Sequence, residues 1–140
     1  MGRVINPDGT GKERARLAKA TVLALRELMR QTKPDETSRD LAAFIALALL
    51  KIADTIDSSV TAWEKKGYWL KADRFRLEWD WSAHIGEKMQ SAVVADDWAS
   101  IAVLSAQVGG KLANIKLPER HRLGQPWVGA YRLIVSGKRI

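Results

Sequence analysis

The sequence predicts an all-α fold: a four-helix, mostly antiparallel up-and-down bundle with a basic C-terminal extension. From Ala42 to Met89, apolar residues recur at alternating steps of three and four, the spacing that keeps one stripe of a helix against a neighbour. Between these stripes lie the Asp, Thr, Gly and Pro residues that start and stop helices. With 140 residues, 46% hydrophobic and 28% charged, the chain has the size and composition of one domain. Such a domain buries roughly two-thirds of its unfolded surface. The expected division is an N-terminal arm over 1–10, the bundle over 11–117 and a tail over 118–140.

Thr10-Gly11-Lys12-Glu13 has the form of a capping box, in which a hydroxyl and a carboxylate satisfy free amides at a helix start. Helix one should follow, with Leu17, Thr21, Ala24 and Leu28 on one face and Ala18, Val22, Leu25 and Met29 on the next. Pro34 disfavours helical geometry in the residue before it, so the helix should end by then.

Helix two is expected from Pro34 to Thr37 onward, with Asp35 and Glu36 complementing the positive end of its dipole. Its seam is Ala42, Ile45, Leu49, Ile52, Ile56, Ser59 and Trp63. Phe44, Leu47 and Leu50 widen the apolar surface, which implies two neighbours. Weak helix formers from Asp57 to Thr61, with a second box at Thr61-Ala62-Trp63-Glu64, predict a possible break near Ser59. Gly67 after Lys65 and Lys66 matches a cationic last turn closed by a left-handed glycine.

Helix three should carry Tyr68, Ala72, Phe75, Trp79, Ser82, Gly86 and Met89 on its seam and form an antiparallel hairpin with helix two. Gly86 costs about 1 kcal/mol of helix propensity, which close approach of a neighbouring backbone would offset. Asp96 and Asp97 should cap helix four, and Gly109-Gly110 should end or kink it. Beyond Pro118, Trp127, Tyr131 and Ile134 fit one face of a short helix, and Tyr131 to Val135 fit a strand equally well.

The net charge of +7 is concentrated at both ends. Residues 1–34 hold eight Lys/Arg against three acids and residues 94–140 seven against three, while the middle is near neutral. Such ends attract polyanions or acidic partners. The contacts expected for nucleic acid or another anion are Arg3, Lys12, Arg14 and Arg16 at the start of helix one, with Arg120, Arg122, Lys138 and Arg139 from the tail. All would be phosphate contacts with little sequence preference.

The first functional expectation is therefore a non-enzymatic binding or adaptor module, with nucleic acid as the first partner class. The alternative is a protein-interaction domain meeting an acidic partner through Trp69, Trp81 or Trp127, six Trp being many for this length. The regular apolar stripes also suit a homodimer.

Catalytic and metal signatures are weak. Asn6 to Lys12 resembles a phosphate-binding loop, but Asn6 and Glu13 stand where Gly and Ser/Thr are required. His84 and His121 are the only histidines, and His84-Ile85-Gly86-Glu87 reverses the order of a di-iron motif without a second copy. An enzyme or small-ligand site would have to use Asp54, Asp57, Glu64, Asp73, Glu78 or Asp80 across the hairpin. No cofactor or metal is expected. The absence of Cys fits a reducing compartment, with cytoplasm as the expected location. The apolar run Leu41 to Leu50 is far short of the ~20 residues that span a bilayer.

Overall fold

The structure, a computed structural model, describes residues 7–140. Among the described residues every regular element is a helix: α1 (Pro7–Arg30), α2 (Glu36–Lys65), α3 (Trp69–Val94), α4 (Trp98–Lys111) and α5 (Ala130–Val135). No helix among the described residues is long and apolar enough to cross a membrane.

The arrangement differs from an even four-helix bundle. α2 is the central rod, with α1, α3 and α5 packed on it, while α4 rests mainly on α3 and meets α1 only lightly. All ten residues from Leu41 to Leu50 are at most 3% exposed. Four of them are alanines, which let the surrounding elements approach α2 closely from several directions. This stretch of α2 is thus covered within one chain, while Leu70 and Leu77 of α3 are exposed. α1 and α2 run in opposite directions, as do α2 and α3. Arg14, early in α1, meets Thr55 and Ser59 late in α2, and Trp63 late in α2 meets Phe75 early in α3 in an edge-on pair at 4.8 Å.

The helix ends follow local chemistry. Pro7, the first described residue, is already helical and α1 runs on through Thr10, so the Thr10–Glu13 box lies inside the helix and does not start it. Asp35 caps α2, accepting from the Ser38 N–H at 3.0 Å. That bond to the charged form, first among the causes, holds the Asp35 carboxyl below its ordinary range. α2 then continues without interruption past Ser59 to Lys65. Arg14 donates to the Thr55 carbonyl, Thr55 Oγ1 and Ser59 Oγ at 3.3 to 3.4 Å, and Val60 is buried. Tertiary packing outweighs the weak local propensity there.

Gly67 closes α2 at φ 81°, and the Tyr68 N–H reaches back to the Trp63 carbonyl at 2.9 Å. The Asp96-Asp97 pair divides its work. Asp96 adopts φ 54° and ends α3, while Asp97 caps α4 by accepting from the Ser100 N–H and hydroxyl. α4 passes through Gly109 and Gly110 to Lys111.

Beyond Pro118 the chain is not a detached extension. Leu117, Trp127, Ala130 and Ile134 enter the core, and α5 packs on α2. Gly129 takes φ 85°, and the Asp40 carboxylate accepts from the Gly129 and Tyr131 N–H groups. The Tyr131 to Val135 segment is helical, not a strand.

Candidate functional site

The two basic segments meet. Lys12, Arg16 and Lys19 fall at steps of four and three on the outer face of α1, and the loop after α4 crosses beside them. Together with Arg120, His121 and Arg122 they line a groove of about 450 Å³ whose apolar walls are Ala15, Leu117, Pro118 and Leu123. No Asp or Glu lines it. None of the five Lys and Arg side chains takes part in an ion pair among the described residues.

Leu117 is buried and anchors the loop, and Pro118 stiffens the step that follows. Arg122 holds φ 50°, an uncommon value for a residue with a side chain. The adjacent Leu123 N–H donates to His121 Nδ1 at 3.2 Å, so the neutral ring carries its proton on Nε2. Five cations around one concavity concentrate positive potential there, as phosphate recognition requires.

The expected contacts divide clearly. Lys12, Arg16, Arg120 and Arg122 come together. Arg3 lies outside the described residues. Lys138 and Arg139 are exposed beyond α5 and do not line the groove. Arg14 points the other way, into the α1–α2–α3 junction. There its guanidinium bonds to Thr55 and Ser59 and lies 4.7 Å over the Phe75 ring. Partial burial pushes its pKa down, and Glu78 opposes the shift. Arg14 is accordingly a structural residue. The reason is angular: two residues separate Arg14 from Arg16 by ~200° around a helix.

Lys19 and His121 were not among the expected contacts. Lys19 could have been found, because positions 12, 16 and 19 share a helical face. His121 had no such signal.

The aromatic candidates also divide. Trp69 is 60% exposed, beside Tyr68 and Leu70 at the tip of the α2–α3 hairpin. Trp81 is half-buried and stacks on Trp79 at 5.8 Å. Trp127 is only 7% exposed and belongs to the core, so it is not available as an interface anchor.

The hairpin acids do not converge. Asp54 and Asp57 are exposed on α2, Asp73 and Glu64 are both tied to Arg76, and Asp80 pairs with His84 along α3. No group of three or more potential ligands able to hold a metal exists among the described residues. No protein family, curated protein or solved structure matches this chain.

Proposed function

We propose that the chain is a non-enzymatic binding module that holds the phosphate backbone of a nucleic acid in the groove between α1 and the 117–123 loop. The supporting observation is the convergence of Lys12, Arg16, Lys19, Arg120 and Arg122 on one concavity that no carboxylate lines. The walls between these cations are aliphatic, with no Trp, Tyr or Phe on which a base would stack, so the reading is of phosphate contacts with weak sequence preference. A cytoplasmic location belongs to the same reading.

Fluorescence anisotropy with labelled DNA and RNA oligonucleotides tests it. Four to five phosphate contacts give a slope of log K against log salt of about −4, a hundred- to a thousand-fold loss between 50 and 200 mM salt. Replacing Lys12 and Arg16 together by Glu should abolish binding at moderate salt, while the same reversal at Lys138 and Arg139 should have a small effect. Absence of binding at low salt ends the proposal.

A second reading is a domain that meets an acidic protein. It is favoured by the exposed Tyr68-Trp69-Leu70 tip, set beside Lys65, Lys66, Lys71 and Arg74. Binding of a polyglutamate-rich peptide that Trp69→Ala weakens, with no binding of nucleic acid, selects this reading over the first.

A further inference from the structure

The turn that joins α2 to α3 projects at one end of the bundle. α5 docks at the other end, on the first turns of α2, where Asp40 meets Tyr131. α4 starts at that far end too, beside the Arg39–Asp96 pair, and with 14 residues against 26 it runs along only about half of α3. Of the other helices only α1, which bonds to Ser59 through Arg14, reaches toward the turn.

At the turn, Tyr68, Trp69 and Leu70 follow one another and are 55%, 60% and 63% exposed. Three adjacent large side chains left open in this way mark a contact surface, unlike apolar residues scattered singly. The charge around them is one-sided. Lys65 and Lys66 close α2, and Lys71 and Arg74 lie in the first two turns of α3. All four are exposed, and none takes part in an ion pair among the described residues. The nearest acids, Glu64 and Asp73, are both held by Arg76, at 3.0 and 2.9 Å, and Glu78 lies a further turn along α3.

We propose that this tip docks on the surface of an anionic phospholipid bilayer. Trp and Tyr favour the headgroup level of a membrane, where the ring enters the apolar layer and the N–H or O–H stays hydrated. Leu70 adds apolar contact, and the four cations meet the negative lipid headgroups. A fluid interface receives a projecting tip without a matching pocket, which a folded acidic protein would have to supply. Docking is peripheral, because no helix among the described residues is long and apolar enough to cross a membrane. The tip shares no lining residue with the groove on α1, so this docking does not rest on the nucleic-acid reading.

Co-sedimentation of the full chain with lipid vesicles is the test. Phosphatidylcholine vesicles with about 30% phosphatidylserine should bind it and phosphatidylcholine alone should not, since each cation near an anionic surface contributes about fivefold in affinity. Trp69→Ala should weaken binding about tenfold. Replacing Lys65 and Lys66 together by Glu should weaken it more than tenfold. Both variants alter exposed side chains, so the thermal melt should stay cooperative. The same reversal at Lys138 and Arg139, equal in charge but beyond α5, should have a small effect. No binding to the mixed vesicles at low salt, or binding indifferent to either tip variant, overturns the proposal. Capture of a polyglutamate peptide through Trp69, by a chain that does not sediment with the vesicles, assigns the tip to an acidic protein and overturns it too.

Discussion

The Asp40 carboxylate accepts a hydrogen bond from the Tyr131 N–H at 2.9 Å, joining the first turns of α2 to α5 across 91 residues of sequence. It also accepts from the Gly129 N–H at 3.1 Å, so one side chain serves two amides at the start of α5. A helix of six residues does not persist alone in water. α5 therefore depends on this anchor and on the burial of Trp127, Ala130 and Ile134. Asp40→Ala should lower stability by about 2 kcal/mol, read as a shift in the urea midpoint, and should speed tryptic cleavage at Arg132.

Arg14 separates structure from binding. Arg14→Ala removes its bonds to α2 and its stacking on Phe75, and should destabilise the fold by about 1–3 kcal/mol. Affinity for nucleic acid should stay within twofold of the parent protein. A large loss of affinity in a protein that remains folded would return Arg14 to the binding surface.

Gly86 marks a close approach of α3 to α2. A Cβ there would lie 3.1 Å from Leu50 Cδ2 and 3.2 Å from Leu49 Cβ. The Leu49 Cβ cannot rotate away, and α2 is enclosed at that level. Gly86→Ala should thus be destabilising by about 1 kcal/mol despite its gain in helix propensity. A rise in melting temperature would show that α2 has room to yield.

The caps set an acid limb of stability. Hydrogen bonds from Ser38 hold the Asp35 carboxyl below its ordinary value, and those from the Ser100 hydroxyl and N–H do the same for Asp97. A carboxyl with a folded-state pKa below its unfolded one contributes stability above the unfolded value, and that contribution is lost as pH falls through the folded value. The loss should therefore begin near pH 4 and continue below it. Asn at both positions caps without ionising, so D35N/D97N should show a shallower fall in urea midpoint between pH 5 and pH 2.

Local patterns in the sequence were reliable where one helix face meets one neighbour. The seam from Ala42 to Met89, apart from Tyr68, which is exposed just before α3, the glycine turn at Gly67 and the Asp97 cap all depend on residues within a turn of one another, and all are read from spacing. The Thr10 box failed because the chain is already helical before it, at Pro7. The break at Ser59 failed because Arg14, from another helix, steadies that turn. The groove shows the same division. The shared face of Lys12, Arg16 and Lys19 is written in their spacing, while the approach of Arg120 and Arg122 depends on where the loop after α4 crosses α1.

Enclosure of Leu41 to Leu50 on every side ties the fate of α2 to chain made much later. A ribosome delivers this decapeptide some 80 residues before Trp127, Ala130 and Ile134 emerge to cover it. Until they arrive, one flank of α2 stands open to other nascent chains. Interruption of synthesis, or a cut anywhere from 113 to 126, should leave an aggregation-prone product, so the yield of folded chain should depend on prompt docking of α5 more than on the strength of any contact within the helical hairpin.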